Sequence, residues 1–214
     1  MNNETVILAD GSFPVHEIPV GLLKNAARVI CCDGAASALL SYGIEPFAIV
    51  GDCDSLDPDI IAKYHDRVYR DPEQETNDLT KSVCWAVSRG FTRLFILGAT
   101  GKREDHTLGN ISLLTEYASL AEVRMITDTG VIQPVLESGS FDSSPGQQVS
   151  IFSIDPATVI STRGLLYPLE SMKLRNWWQA TLNEATGTTF SLDFTGGPLL
   201  VYMKFKETRV PSRD

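Results

Sequence analysis

Four short apolar runs end on aspartate or glycine: TVILAD (5–10), RVICCD (28–33), FAIVGD (47–52) and RLFILG (93–98). Near-continuous Val, Ile, Leu and Phe without polar alternation is the pattern of a strand buried on both faces, as in a parallel sheet. RVYR (67–70) and EVRMIT (122–127) extend the series. Between the runs, residues 35–42, 58–64, 78–89 and 106–119 read as helices, and Leu79, Val83, Ala86 and Val87 form an apolar stripe at helical spacing. This alternation predicts a doubly wound, Rossmann-like α/β domain with a parallel sheet over residues 1–137.

The pattern changes after ESGSFDSSPG (137–146). QVSIFSI (148–154), TVISTRGLLYPL (158–169), TTFSLDF (188–194) and PLLVYMKF (198–205) are short β-branched or alternating runs separated by Gly, Pro and Asn. They predict a small antiparallel β-sandwich or barrel over 147–214, with a boundary near 138–146.

Composition narrows the function classes. With 214 residues, 43% hydrophobic and 21% charged, the chain can bury a core, so disorder and fibres are excluded. It holds no apolar stretch of the ~20 residues that cross a bilayer, and its opening MNNETVILADG lacks a basic segment followed by a long apolar one. A soluble, cytoplasmic protein with no membrane partner is expected. Cys31, Cys32, Cys53 and Cys84 form no CxxC pair and fit reduced thiols. A formal charge of −9 without a basic run argues against nucleic acid as a partner. The acidic excess serves solubility, or part of it holds a divalent cation.

Solubility is the default, and the positions of the acids bear on the second use. Asp10-Gly11, Asp33-Gly34 and Gly51-Asp52-Cys53-Asp54-Ser55 follow the first three strands, and Gly98-Ala99-Thr100-Gly101 follows the fifth. In an open parallel sheet these carboxyl ends share one rim, where α/β folds bind ligands. On an extended segment Asp52 and Asp54 would face the same side, and such a pair suits Mg2+, which takes one or two carboxylates plus phosphate oxygens. The alternative is a capped or solvated turn, with Asp57 before Pro58 the better cap.

Glu75-Thr76-Asn77-Asp78-Leu79-Thr80-Lys81 opens the third helix. Thr76 or Asn77 can cap it. Asp78 then sits in its first turn and shares a face with Lys81, either as a surface ion pair or as a third metal acid beside a cation for phosphate. In Gly98-Ala-Thr-Gly101-Lys102-Arg103-Glu104-Asp105-His106-Thr107 the spacing fits neither a Walker A loop nor a dinucleotide fingerprint. What remains is a glycine-flexed turn offering backbone N–H groups and Arg103 to phosphates, with Asp105 near the cation. His106 reads equally as a packing residue or a substrate contact. No G-x-S-x-G elbow and no H-E-x-x-H motif are present.

Taken together, LADGSFP (8–14), CCDGAA (31–36), VGDCDS (50–55), ETNDLTKS (75–82), LGATGKREDHTLGNISLL (97–114), TRGLLYPL (162–169), LNEATG (182–187) and GGPLLVYM (196–203) resemble the thiamine pyrophosphokinase family. The resemblance spans nearly the whole chain, and its specificity lies in the order and spacing of the segments. It implies a homodimeric, Mg2+-dependent enzyme that moves a pyrophosphoryl group from ATP to the hydroxyl of thiamine and releases AMP. It implies an α/β domain that holds nucleotide and metal, and a β domain that contributes to the thiamine pocket at the dimer interface. By position it makes Asp33, Asp52, Asp54, Asp78 and Asp105 the acidic site residues, four of them (Asp52, Asp54, Asp78 and Asp105) metal ligands. Arg103 becomes the phosphate-binding arginine. Ser55, Lys81 and His106 become further contacts to nucleotide and metal, and Asn183 a thiamine contact. Leu182 stands where the family has Ser, and Asn77 where it often has Thr. No one aspartate is singled out as the base.

Two other readings compete. A phosphate-ligand sensor would need to tolerate a rim crowded with acids, which repel phosphate unless a cation intervenes. An NAD(P) oxidoreductase is suggested by GATG but lacks the third glycine and places the turn late. Trp177 and Trp178 could stack on a cationic thiazolium, or bury one face in a core or interface.

Overall fold

The computed structural model describes residues 4–206, which form two compact units divided between Asp128 and Thr129. In chain order the first contains β1 (Thr5–Leu8), α1 (Glu17–Asn25), β2 (Arg28–Cys32), α2 (Ala35–Ser41), β3 (Ala48–Gly51), α3 (Pro58–Lys63) and β4 (Val68–Arg70). It continues with α4 (Asp78–Ser88), β5 (Arg93–Leu97), α5 (Glu104–Ser112), α6 (Leu114–Tyr117) and β6 (Glu122–Ile126). The strands lie in the order β6-β5-β1-β2-β3-β4, and every pairing is parallel.

β1 and β3 are buried at every residue, and β2 and β5 at all but their first, which explains the unbroken apolar runs. Strand order reverses at β1, flanked by β2 on one side and β5 on the other. That reversal opens the crevice in which such sheets bind ligands. The sequence gives no sign of α1, because Pro14 and Pro19 read as breakers. Pro19 occupies the third helical position, where its missing N–H is an orphan anyway, and the His16 ring accepts from Ile18 N at 3.2 Å as the cap. The single helix expected over 106–119 is two, with Leu113 between α5 and α6.

The second unit contains β7 (Gly130–Val135), β8 (Gly139–Asp142), β9 (Gln148–Ser153), β10 (Val159–Arg163) and β11 (Met172–Lys173). A 3-10 turn (Trp177–Ala180) precedes β12 (Asn183–Glu184), β13 (Thr189–Thr195) and β14 (Leu199–Lys204). Within it, β12-β9-β14-β7 and β11-β10-β13-β8 are two antiparallel arrays. Val149, Ile151, Leu199 and Val201 of the first share a core with Ile160, Phe190 and Leu192 of the second. This is a sandwich, with no closed barrel among the described residues. The units divide at Asp128/Thr129, so the stretch at 138–146, expected as a linker, lies inside the second unit and supplies β8. β7 contains Pro134, which masks its strand character in the sequence, yet it pairs with β14 along its whole length.

Candidate active site

The loops after β1, β2, β3 and β5, together with the starts of α4 and α5, wall a cleft of about 330 Å³ in the first unit. Its acids come from the chain just past β1 and β2 and from the first turn of α4. Asp33 follows β2 at φ 36°, in the left-handed region that Asn and Asp tolerate better than most residues. It is 4% exposed. Its Oδ2 accepts from Ser55 N at 3.2 Å, and its buried Oδ1 has no hydrogen-bond partner.

Asp52 follows β3. Its Oδ1 accepts from Asp54 N at 3.1 Å, and its Oδ2 from Gln74 Nε2 at 3.3 Å. Asp78 is the first residue of α4 behind the Asn77 cap, whose Oδ1 accepts from Thr80 N at 2.9 Å. Carboxylate oxygens of Asp33, Asp52 and Asp78 lie within 4.8 Å of one another. Gly51 makes that convergence possible, since a Cβ there would lie 3.0 Å from both Asp33 Cβ and Asp78 Oδ1.

The electrostatics follow from this crowding. Burial, then the neighbouring carboxylates, raises the Asp78 pKa. Asp33 is raised chiefly by burial, against hydrogen bonds from Ser55. Asp52 is held below the carboxylate range by hydrogen bonds from the Asp54 backbone and Gln74. A buried carboxylate oxygen without a donor is costly in a metal-free protein and becomes a ligand once a cation is present. An all-oxygen set of this kind suits Mg2+ or Ca2+ rather than a soft metal.

Asp54 stands apart from this cluster. Cys53 adopts φ 62°, so residues 52–54 are not the extended segment that would aim both side chains one way. The Asp54 carboxylate instead pairs with Arg70 Nη2 at 3.0 Å. Asp105 is likewise engaged, by both the Nε and Nη2 groups of Arg103, which with the His106 N–H bring its pKa down to about 2. Arg103 and His106 nevertheless wall the cleft, as does Ser55. Lys81 is buried behind Asp78 and is not among the cleft-lining residues. Asn183, in the second unit, is 3% exposed. Its Oδ1 accepts from the backbone N of Tyr167 and Glu184, and its Nδ2 donates to Tyr167 O at 2.6 Å.

Several cleft residues carried no site assignment from the sequence. Asp10 ends the first strand's run and pairs with Lys102 Nζ at 2.8 Å across the cleft; its place at a strand end was the available signal. Asn77 donates to Asn110 Oδ1, and Asn110 donates to Ala99 O, tying α4 to α5 and to the turn after β5. Nothing in the sequence marks Asn110. Gly11 lets the β1 and β5 loops touch, because a Cβ there would come within 2.3 Å of Gly98 O.

Two family models match the chain in order: the thiamin pyrophosphokinase catalytic domain over residues 20–127 and the thiamin pyrophosphokinase substrate-binding domain over residues 130–202. "Thiamin pyrophosphokinase 1" of Caenorhabditis elegans is 26% identical over 168 residues, 72% of this chain and 69% of that protein. "Thiamine pyrophosphokinase" of Bacillus subtilis is 28% identical over 177 residues, covering 77% and 81% of the two chains. Among solved structures, a thiamin pyrophosphokinase family protein from Enterococcus faecalis shares the fold with a TM-score of 0.79 at 20% identity, covering 95% of this chain and all of that one. With both domain models matched in sequence order, the chain belongs to the thiamin pyrophosphokinase family.

Proposed function

We propose that the first unit's cleft is where this chain carries out the family's reaction, the ATP-dependent pyrophosphorylation of thiamine. The thiamine hydroxyl oxygen forms a bond to the β-phosphorus of ATP and gives up its proton to a cleft carboxylate or to water, the bond from the β-phosphorus to the α,β-bridging oxygen breaks, and AMP leaves with that oxygen. Asp33, Asp52 and Asp78 would hold a divalent cation, Mg2+ in our reading, with Asp54 and Asp105 joining when released from Arg70 and Arg103. When bound, the cation neutralises phosphate charge.

The remaining work falls to the chain's own groups. Arg103 offers the planar fork that matches phosphate oxygens, and it changes partner from Asp105 to nucleotide. Lys102, His106 and Ser55 line the same cleft and complete the anion cradle. Positive groups at that wall stabilise the charge developing on the AMP leaving group. Asn183 supports the thiamine site through the Tyr167 loop that its side chain fixes, so it acts as a positioning residue. We further assign the protein to the cytoplasm as a homodimer; no described helix is long and apolar enough to cross a membrane.

The single observation that carries this reading is the unpartnered, buried Asp33 Oδ1 inside a three-carboxylate cluster, two of whose members, Asp33 and Asp78, line the same cleft as Lys102 and Arg103. Incubation with ATP, Mg2+ and thiamine should yield AMP and thiamine diphosphate in equal amounts, and chelation should stop both. ADP as the nucleotide product, or turnover that survives chelation, would overturn the proposal.

A further inference from the structure

Lys81 is the one buried cation that the reaction scheme leaves unused among the described residues. Its side chain is 4% exposed, and Nζ lies 3.7 Å from Asp78 Oδ1, an electrostatic contact longer than a hydrogen bond. One ammonium proton is donated to the backbone carbonyl of Asp71 at 3.1 Å. That carbonyl is fixed in turn, because Asp71 N donates to Gly51 O, at the strand end that leads into Asp52. Anchored in this way, this α4 lysine is held outside the cleft lining. Its charge instead acts on the carboxylates in front of it, Asp78 first, at 3.7 Å.

We propose that Lys81 is a resident counter-cation of the Asp33–Asp52–Asp78 cluster, a positioning residue that holds the metal-free carboxylates together and weakens their grip on the divalent cation. The inference rests on the metal reading given above. Three carboxylates with oxygens within 4.8 Å repel one another, and a fixed positive charge offsets part of that repulsion when no metal is present. Once a divalent cation enters, the same charge opposes it. Lys81 therefore flattens the difference between loaded and empty sites and favours exchange of the metal with each nucleotide.

The test uses the full-length protein and two variants. Lys81→Gln removes the charge and keeps an N–H donor, and Lys81→Met removes both. Mn2+ titration followed by electron paramagnetic resonance should give a dissociation constant about tenfold lower in both variants than in wild type. A merely structural lysine would leave it unchanged or raise it. In chelator, Lys81→Gln should lower the melting temperature, and adding Asp78→Asn should restore part of the loss. An unchanged or weaker Mn2+ affinity, with a raised ATP KM, would overturn the inference and return Lys81 to phosphate binding. If wild type binds no Mn2+, the metal reading falls, and the chelator experiment still decides the counter-cation role: no recovery with Asp78→Asn refutes it.

Discussion

Replacing Asp33 with Asn should stabilise the metal-free protein while destroying its activity. Asp33 is 4% exposed, one carboxylate oxygen has no donor, and Asp52 and Asp78 face it within 4.8 Å. Leaving a buried polar group unsatisfied costs about 1–3 kcal/mol. Asparagine keeps an oxygen for Ser55 N, now accepted at 3.2 Å, and offers an amide N–H to the neighbouring carboxylates. It also tolerates the φ of 36° at this position. Subtracting the weaker, neutral hydrogen bond to Ser55 leaves a net gain of about 1–2 kcal/mol, or roughly 2–8 °C in Tm for a chain of this size.

Scanning calorimetry in chelator measures that gain, and saturating Mg2+ should reverse it. Wild type gains about 2.7 kcal/mol at a hundredfold excess over Kd, and the variant gains less. The pH dependence has a fixed sign. The folded pKa of Asp33 is raised by burial, so its contribution is fully present below the unfolded carboxylate pKa and is lost as pH rises through the raised folded value. The advantage of Asn should therefore vanish in acid and grow above that range. A variant that melts below wild type in chelator at neutral pH would refute the reasoning.

Asp52→Asn and Asp54→Asn should each lower turnover by on the order of 10²-fold with the fold intact by circular dichroism. Near-normal turnover in Asp54→Asn would leave that residue as the partner of Arg70 alone. Arg103→Ala should raise the ATP KM about tenfold and leave the thiamine KM unchanged, and steady-state kinetics would expose the reverse pattern. Gly51→Ala places a methyl 3.0 Å from Asp78 Oδ1, so turnover should fall by at least about tenfold; wild-type rates would show that the position of Asp78 is immaterial. Asn183→Ala removes hydrogen bonds to Tyr167 N, Tyr167 O and Glu184 N, which at about 1 kcal/mol each lowers Tm by roughly 6–12 °C. An unchanged Tm would contradict the buried role.

The α/β unit was legible because parallel strands are buried on both faces and so appear as unbroken apolar runs. The shared rim followed from topology, which put Asp33 and Asp52 at neighbouring strand ends; the metal set expected from the sequence held Asp54 and Asp105 in place of Asp33, and Asp78 joins the cluster from the start of α4. Backbone dihedrals were not legible: φ 62° at Cys53 turns Asp54 toward Arg70, and a non-glycine residue gives no notice of that conformation. α1 and β7 were hidden by Pro19 and Pro134; Pro19 sits in the first helical turn, where a missing N–H leaves no bond unmade. The attachment of Asn183 to Tyr167, 16 residues earlier, and the Asn77–Asn110 bridge across 33 residues depend on tertiary folding that local pattern does not encode.

Anomalous diffraction from crystals grown with ATP and Mn2+ tests the central claim most directly. The account predicts a manganese peak bounded by the carboxylates of Asp33, Asp52 and Asp78. A peak elsewhere, with those three side chains unligated, would contradict it.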